Sequence, residues 1–273
     1  MVRSEADRLR RVIVCSPRIE YFLRSDFSEH NFDGAPDPET ARLQHAALTA
    51  VLRHLEADVI DAMELPGHPN SVFTRDTLLA SPAGYIELNM GLKTRVGEPA
   101  WLAQVCDRIG ARRAGQIVPP ATVEGGDVIL AGDVAFIGLS RRTNSDGVRQ
   151  LRELLEPLGF ECRVAPVPDI YLHIGGAMSL VDDRLVLTVR GALPASLFRG
   201  FETILIDPAA FATGNVITVG NHIIIALPVP RTVRHLLESH GLTVIELDLS
   251  EFVKGHGGPS CLIMPLDREP VAF

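Results

Sequence analysis

The sequence lacks cysteine pairs at metal-binding spacing, and we expect no secretory leader. Its four cysteines are Cys15, Cys106, Cys162 and Cys261, and none of them forms a CxxC pair, which gives no support for a zinc site of the usual spacing. The first eleven residues are dense in charge, unlike a signal peptide, so we expect no disulfides. The first three cysteines lie in apolar runs and are interpreted as small buried or half-buried side chains.

The sequence also lacks a long apolar run and an excess of positive charge. The most apolar late stretch, Asn215 to Pro230, is interrupted by polar residues and by Gly220 and is too short to span a bilayer. With 26 Lys and Arg against 34 Asp and Glu, the net charge is -8, which disfavours nucleic acid and membranes as partners. We expect a soluble, cytoplasmic protein that can attract a cationic small molecule.

Strand-like and helix-like segments alternate along the chain, which favours an α/β or α+β fold. The segment GGDVILAGDVAFIGLSRRT, from Gly125, recurs as TGNVITVGNHIIIALPVPRT, from Thr213, at an offset of 213 − 125 = 88 residues. Each copy predicts two strands around a glycine turn, a helix that begins near Val148 or Val233, and a third strand. The sequence therefore contains a repeated ββαβ unit.

Weaker copies of this unit fit the rest of the chain. Two begin at FTRDTLLASPAGYIEL and IGGAMSLVDDRLVLTV, and the chain start could complete a fifth unit with the strand after Cys261. Five units closed around an axis predict a five-bladed α/β propeller, with residues 1–273 as one catalytic domain because no linker divides them. A doubly wound sheet is the alternative from pattern alone.

The first helix has a clear predicted start. Asp37 is a candidate N-cap and Pro38 follows it at the first helical position. The apolar spacing predicts one buried helix face. That face would carry Leu43, Ala47, Leu48, Val51, Leu52 and Leu55.

Four polar side chains lie near turns of different predicted units. They are Asp76 in NSVFTRDT, Glu124 in EGGD, His173 in YLHIGGAMSL and Cys261 in GHGGPSC. Each also has a purely structural interpretation: Asp76 could pair with Arg75, Glu124 could be a turn residue, and the other two could be buried in the core. A closed propeller would bring all four to its centre, which favours a functional site.

The chemistry open to such a set is restricted. A thiolate is a nucleophile, and a nearby histidine can supply or remove protons. Two carboxylates beside a thiol raise its pKa, which makes sense if the substrate is itself a cation. A guanidinium pairs its planar N–H groups with carboxylates, and its charge favours the thiolate. The set therefore predicts cysteine-dependent attack on a guanidine carbon.

The four motifs, in this order between Asn70 and Cys261, resemble those of the guanidine-modifying superfamily of α/β propellers, the penteins. This superfamily includes arginine deiminases, amidinotransferases and dimethylarginine dimethylaminohydrolases. The resemblance implies Cys261 as the nucleophile and His173 as the general acid and base. It implies that Glu124 holds the histidine and one guanidine nitrogen, and that Asp76 binds the guanidinium N–H groups.

The resemblance also implies further substrate contacts. Arg95 and Arg142 would clamp the α-carboxylate of the substrate, with surface salt bridges as the alternative, and Asn70 and Phe73 would also contact the substrate. Loop residues 18–35 would form a lid. No metal or organic cofactor is implied, and a homodimer stays open.

Two departures from the family pattern bear on the substrate. Gly175 stands where arginine deiminases and amidinotransferases usually carry the Asp of His-x-Asp, and the chain has no room for the helical bundle of the deiminases; both features resemble dimethylargininases. Against this, Arg75 replaces the Glu frequent in dimethylargininases, and GGPSC resembles deiminases. We predict hydrolysis of an N-methylated arginine to citrulline through a covalent thiouronium. The alternatives are a deiminase-like enzyme, an amidinotransferase and a non-catalytic binding propeller.

Overall fold

Five three-stranded sheets make up the fold of residues 1–22 and 27–270, which are the residues that the computed structural model describes. In every sheet the central strand is antiparallel to one neighbour and parallel to the other. The strands are β1 Arg8–Cys15, β2 Asp58–Ala62, β3 Leu78–Ser81, β4 Gly84–Glu87, β5 Arg113–Gln116, β6 Val128–Ala131, β7 Val134–Leu139, β8 Glu161–Pro166, β9 Met178–Asp182, β10 Leu185–Val189, β11 Glu202–Ile206, β12 Val216–Val219, β13 His222–Ala226, β14 Thr243–Leu247 and β15 Met264–Glu269.

The order of the strands confirms the five predicted units. Four sheets use consecutive strands, namely β3-β4-β5, β6-β7-β8, β9-β10-β11 and β12-β13-β14. The fifth sheet has the order β15-β1-β2, so the last strand of the chain pairs with the first. This pairing completes the unit that the sequence left split between the two ends, and it supports a closed propeller rather than a doubly wound sheet.

An α-helix joins the two parallel strands in four of the five units. These helices are α1, α2, α3 and α5, whereas a 3₁₀ turn at Ala195–Phe198 takes this place between β10 and β11. Among the described residues, no helix is both long and apolar enough to cross a bilayer. The helices are α1 Pro38–His54, α2 Glu98–Arg108, α3 Ser145–Leu155, α4 Ile174–Ala177, α5 Arg231–Ser239 and α6 Ser250–Val253.

Two helix starts lie earlier than predicted. Helix α3 begins at Ser145, because the Asn144 side chain accepts a hydrogen bond from the Gly147 N–H and acts as N-cap. Helix α5 begins at Arg231, directly after Pro230. Val148 and Val233, the predicted starts, are buried residues further inside these helices, so the apolar pattern indicated the packed face of each helix and not its first residue.

Helix α1 begins as predicted, and its predicted buried face is correct at Leu48 and Leu52 but wrong at Leu43 and Ala47. Asp37 caps the helix by accepting a hydrogen bond from the Thr40 N–H. Leu43, however, is 65% exposed, and Gln44 takes the buried position beside it. Gln44 bonds to the Ser250 hydroxyl and to the Glu251 N–H, so its amide is satisfied in the interior. The buried face consists of Ala41, Gln44, His45, Leu48, Thr49 and Leu52, and it excludes the exposed Ala47.

The first strands of the units lie in the interior, and three of them, β3, β6 and β12, are buried along their whole length. Third strands such as β5 and β8 are largely exposed. First strands also contact one another across units, as β9 does with β6 and β12. A short turn precedes each first strand, so polar residues on these turns can meet at one end of the axis. The turns are Thr74–Asp76, Gly125–Asp127, Ile174–Ala177, Pro208–Gly214 and Pro259–Leu262.

Candidate active site

Seven of the eight predicted site residues line one small cavity at the end of the first strands. They are Asn70, Phe73, Asp76, Arg95, Arg142, His173 and Cys261. The eighth, Glu124, is fully buried and bonds to His173. The lining also includes Asn31, from the predicted lid segment, and two residues that were not among the predicted site residues, Leu172 and His256. Turns of four separate units therefore converge on this cavity.

Glycines in the EGGD motif allow the turns to approach so closely. The Asp76 Oδ1 accepts a hydrogen bond of 3.1 Å from the Gly126 N–H. A Cβ on Gly126 would lie 2.7 Å from the His173 Nδ1 and 2.9 Å from the Asp76 Oδ1. A Cβ on Gly125 would lie 2.2 Å from the carbonyl oxygen of Arg75. The motif is therefore a steric requirement of the site as well as a turn signal.

His173 and Glu124 form a buried pair. The His173 Nε2 lies 2.9 Å from the Glu124 Oε2, and the other carboxylate oxygen accepts hydrogen bonds of 3.1 Å from the N–H groups of Gly91 and Leu92. Burial by itself would lower the pKa of the His173 imidazole. The negative charges of Asp76, Asp127 and Glu124 outweigh burial and raise that pKa. The geometry therefore favours an imidazolium that has a proton to give.

Asp76 shares a buried arginine with a carboxylate that the sequence did not indicate. The Arg95 Nη1 lies 2.5 Å from the Asp76 Oδ2, and the Arg95 Nε donates to the Glu98 Oε2 at 2.8 Å. Glu98 is the first residue of α2, where the helix dipole favours a negative charge. Burial raises the pKa of the Glu98 carboxyl to about 7, although Arg95 opposes the shift. Glu98 thus holds Arg95 from the side facing away from Asp76.

Arg142 is paired with the other carboxylate. Its Nη1 lies 3.1 and 3.2 Å from the two carboxylate oxygens of Glu124. Arg142 is 8% exposed and Arg95 is 3% exposed, so the alternative of surface salt bridges is wrong for both. Each carboxylate predicted to bind a guanidinium is therefore already bonded to a guanidinium of the chain itself.

Cys261 lies on the 3₁₀ turn Pro259–Leu262 that leads into β15. It is half-buried, and the amide Nδ2 of Asn215 lies 3.9 Å from its sulfur. Burial, followed by the charge of Asp76, raises the pKa of the Cys261 thiol to about 11. The Cys261 thiol of the free protein is therefore largely protonated near neutral pH.

The other three cysteines fit their structural interpretation. Cys15 and Cys106 are buried and Cys162 is half-buried. Burial raises the pKa of the Cys162 thiol to about 11, and Cys162 lies outside the cavity lining.

Arg75 faces away from the cavity, so the interpretation of Asp76 as its ion-pair partner is wrong. The Arg75 guanidinium donates to the carbonyl oxygens of Gly125 and Val128, at 3.2 and 2.7 Å, and pairs with Glu5. Arg75 therefore links the turn that contains Asp76 to the next unit, on the side of that turn that faces away from the cavity. Arg75 itself is not part of the cavity lining.

The predicted lid, residues 18–35, is described only in part, since residues 23–26 lie outside the described residues. Asn31 lines the cavity with a φ of 59°. The Phe32 ring packs 6.4 Å from the Phe73 ring, measured between centroids. These contacts place the end of the segment at the mouth of the cavity.

Two further polar groups lie at this mouth. Asn70 donates its side-chain N–H to the carbonyl oxygen of His30 at 3.0 Å, and its buried Oδ1 has no hydrogen-bond partner among the described residues. The His256 Nε2 lies 3.1 Å from the Asp33 Oδ1. The free Asn70 oxygen is therefore an acceptor available to a ligand in the cavity.

One group of described side chains has the geometry of a metal site. Ligand atoms of Asp76, Glu124 and His173 all lie within 4.8 Å of one another. The two carboxylates, however, are bonded to Arg95 and Arg142. A metal ion would have to displace both arginines, so the arrangement suits an organic cation with N–H donors better than a metal.

A more spacious depression lies elsewhere on the surface. It is lined by residues of the β3–β4 turn, by residues 109–112 and by parts of β1 and β15. The described residues of its lining include neither a cysteine nor a histidine. We therefore place the candidate active site in the smaller cavity, where nucleophile, imidazole and carboxylates meet.

The chain is similar to known proteins over most of its length. Residues 34–268 match the family described as N,N dimethylarginine dimethylhydrolase, eukaryotic. The chain is 31% identical to the N(G),N(G)-dimethylarginine dimethylaminohydrolase of Pseudomonas aeruginosa over 229 residues, which cover 84% of this chain and 89% of the relative.

Solved structures share the fold. A mutant of the Pseudomonas aeruginosa enzyme complexed with citrulline superimposes with a TM-score of 0.84 at 28% identity, over 94% of this chain and 99% of that one. The N-terminal domain of ArgZ, an arginine dihydrolase from cyanobacteria, gives a TM-score of 0.83 at 20% identity, over 96% and 98% of the two chains. Together with the five sheets, these likenesses confirm the predicted pentein propeller.

Proposed function

The chain belongs to the N,N-dimethylarginine dimethylhydrolase family, and on this premise we propose that it hydrolyses an N-methylated arginine to citrulline and an amine. One observation carries the proposal: the half-buried Cys261 shares a small cavity with Asp76 and with a buried His173–Glu124 pair. A nucleophile, a proton donor and two carboxylates are the groups that guanidine hydrolysis through a thiouronium requires.

Substrate binding proceeds by exchange of ion partners. In the free protein Asp76 pairs with Arg95, and Glu124 pairs with Arg142. A methylated arginine brings a guanidinium for the two carboxylates and an α-carboxylate for the two arginines. Removing one partner from a buried pair is costly unless another charge replaces it. A substrate that carries both charges therefore fits the site, and a guanidine without a carboxylate fits poorly.

The unpaired oxygen of Asn70 complements this exchange. It is a buried acceptor in the cavity lining, and the α-ammonium group of an amino acid is a donor of three N–H groups. An ammonium group bound there donates a hydrogen bond to the Asn70 Oδ1, whose burial without a partner is otherwise destabilising. We assign Asn70, with Phe73 beside it, to the amino-acid end of the substrate.

The bound cation activates the nucleophile. Burial and Asp76 raise the pKa of the Cys261 thiol in the free protein. A guanidinium next to the sulfur lowers that pKa again, because the positive charge favours the thiolate. The thiolate then attacks the central guanidine carbon and forms a tetrahedral adduct, so the nucleophile is generated where a substrate is present.

His173 handles the protons of both half-reactions. As an imidazolium it protonates the departing amine, and the C–N bond breaks to leave a thiouronium on Cys261. The neutral imidazole then takes a proton from a water molecule that attacks the thiouronium carbon. The carbon–sulfur bond breaks, which frees the thiolate and releases citrulline. Glu124 keeps the imidazole oriented and stabilises its charge throughout.

The cavity lining favours a methylated substrate over arginine. Among the described residues of the lining, Asp76 is the only carboxylate. Gly175 takes the place of a second Asp, and a Cβ there would lie 3.0 Å from the carbonyl oxygen of Gly126. A methylated nitrogen has lost N–H donors and needs no further acceptor, whereas the unmodified end of arginine would leave donors unmatched.

The test compares asymmetric dimethylarginine, monomethylarginine and arginine, with citrulline and the released amine measured together. We expect the highest kcat/KM for a methylated arginine, with dimethylamine from dimethylarginine, or methylamine from monomethylarginine, released in step with citrulline. Ammonia released from arginine as the preferred reaction would instead establish a deiminase. Transfer of the amidino group to an added amine would establish a transferase, and inertness to all three would favour a binding propeller.

The remaining assignments extend this proposal. We propose that residues 1–273 act as one catalytic domain, because β15 and β1 join the two ends of the chain in one sheet. A homodimer, a cytoplasmic location and the lack of nucleic-acid or membrane partners stay predictions from the sequence. Light scattering coupled to size-exclusion chromatography tests the first of them.

A further inference from the structure

Asn215 connects the turn that carries Cys261 with the turn that follows His173. Its Oδ1 accepts hydrogen bonds of 3.0 Å from both the N–H and the hydroxyl of Ser260. Its Nδ2 donates to the carbonyl oxygen of Gly175 at 2.9 Å. The neighbours of the nucleophile and of the general acid are therefore held by one buried side chain, which is 7% exposed.

The orientation of this amide is fixed by its backbone partners. The Ser260 N–H can only donate, so the atom that faces it is the oxygen, and the Gly175 carbonyl can only accept, so the atom that faces it is the nitrogen. The nitrogen is thus the amide atom that lies 3.9 Å from the Cys261 sulfur. A donor, and not an acceptor, is directed at the reacting atom.

The same position in another unit holds a carboxylate. Asp127, which precedes β6 as Asn215 precedes β12, accepts a 3.0 Å hydrogen bond from the Ile174 N–H in the next unit. Both side chains join their own turn to the next one, and an Asp is sufficient for that task. Beside Cys261, however, a carboxylate would repel the thiolate, whereas an amide can donate to it.

The glycine turn before the cysteine allows this approach. A Cβ on Gly258 would lie 2.5 Å from the Asn215 Oδ1. The turn GHGGPSC is thus shaped around the amide as well as around the nucleophile.

We propose that Asn215 is a further catalytic residue of this site, which holds the Cys261 turn against the His173 turn and donates a hydrogen bond to the Cys261 thiolate. This role rests on the proposed cysteine-dependent function. Asn215 lies outside the cavity lining, so it acts on the nucleophile and not on substrate affinity.

The test is Asn215→Asp, which keeps the acceptor for Ser260 and removes the donor to the sulfur. Asn144→Asp is a control with a similar bridging amide, because the Asn144 Oδ1 accepts hydrogen bonds from two backbone N–H groups and its Nδ2 donates to a carbonyl oxygen. The first readout is the rate of Cys261 alkylation by iodoacetamide between pH 7 and 10, without substrate. The second is the separation of kcat and KM for dimethylarginine.

We expect Asn215→Asp to slow alkylation about tenfold at a given pH, equivalent to a rise of about one unit in the thiol pKa. We expect kcat to fall at least about tenfold with KM within about twofold of the native value. Asn144→Asp should leave the alkylation rate unchanged. Native alkylation in a folded Asn215→Asp protein, or an equal change in Asn144→Asp, would overturn the proposal.

Asn215→Ala covers the case in which the new carboxylate prevents folding. It removes the donor without adding a charge, so alkylation and kcat should again fall, and native values for both would refute the role. The alkylation measurement needs no substrate. If the native protein turned over none of the methylarginines, the proposed function would fail, while the effect of Asn215 on the thiol would still be decided.

Discussion

Asp76 and Glu124 depend on arginines that follow them in the chain. The intervals are 95 − 76 = 19 and 142 − 124 = 18 residues, and both pairs are buried. Such charges tolerate burial only while each has a partner. A guanidine substrate that displaces an arginine from its carboxylate must therefore offer a carboxylate in return, which makes each of the four side chains part of the specificity of the site.

Asp76→Asn and Glu124→Gln test this dependence. Each change removes one charged acceptor from the bound guanidinium, and Glu124→Gln also removes the partner of the imidazolium. We expect kcat/KM to fall at least about 100-fold in either variant, since a charged hydrogen bond in a desolvated site contributes a few kcal/mol. Asp133→Asn is the control, because Asp133 pairs with Arg184 on the surface. Near-native kinetics in both folded site variants would refute their assignment.

Cys261→Ser tests the nucleophile. The hydroxyl is a far weaker nucleophile than a thiolate, so turnover should fall by at least about a thousandfold. Substrate-protected alkylation should disappear in the same variant. Cys162→Ala, which changes a half-buried cysteine outside the cavity, should retain activity apart from a modest loss of stability. Full activity of Cys261→Ser would exclude the thiouronium route.

The pH dependence of the free enzyme follows from two raised pKa values. The raised pKa of the Cys261 thiol means that kcat/KM should increase as the pH rises above 7, because the thiolate fraction increases. The raised pKa of His173 means that the imidazolium persists above its ordinary range near 6.5, so the decline should begin only in alkaline solution. The measurement is kcat/KM from pH 6 to 10, and a maximum below pH 7 would contradict both shifts.

At the scale of elements, local sequence signals predicted the strands and the start of α1, whereas the predicted starts of α3 and α5 lay too far along the chain. The Asp37 cap of α1 is such a signal, since its hydrogen bond is made within the first turn. The buried face of α1 could not be obtained in this way. Gln44 is interior because α6, more than 200 residues later, supplies partners for its amide, and periodicity contains no information about such a partner.

The EGGD turn is the element whose shape the site depends on most directly. Gly126→Ala would place a Cβ 2.7 Å from the His173 Nδ1, so the imidazole or the turn must move. We expect kcat to fall at least about tenfold, because small displacements of reacting groups are costly. Gly34→Ala is the matched control, since a Cβ there meets no atom within 4 Å. The measurements are kinetics and circular dichroism on both variants. A folded and fully active Gly126→Ala protein would refute the steric requirement for glycine at this position.

At the scale of the whole molecule, the 88-residue repeat predicted the propeller and hence the meeting of four distant motifs. The repeat did not show how buried charges pair. Glu98 and Asn215 were not found from sequence, because their roles consist of contacts to Arg95 and to the Cys261 turn that only the folded chain makes. The two copies of the repeat align Asp127 with Asn215, and this alignment was the sequence signal that could have indicated Asn215.

Closure of the ring makes the two ends of the chain one cooperative unit. Ile13 in β1 pairs with Met264 in β15 and is fully buried, and its carbonyl oxygen accepts a hydrogen bond from Thr74 in the turn of Asp76. Strand β15 follows the Cys261 turn directly. Packing between β1 and β15 therefore fixes the nucleophile relative to a carboxylate from another unit.

Ile13→Ala should accordingly weaken both the fold and the site. Deleting a fully buried isoleucine side chain lowers the free energy of unfolding by about 2–5 kcal/mol through lost burial and the cavity left behind. Met63→Ala, at a position that is 65% exposed just after β2, should change it by less than about 0.5 kcal/mol. Urea unfolding and kcat measured on both variants provide the comparison. Equal free energies of unfolding in the two variants would mean that the β1–β15 sheet does not close the ring. A large loss of stability in Ile13→Ala alone, together with a reduced kcat, would show that the geometry of the active site depends on ring closure.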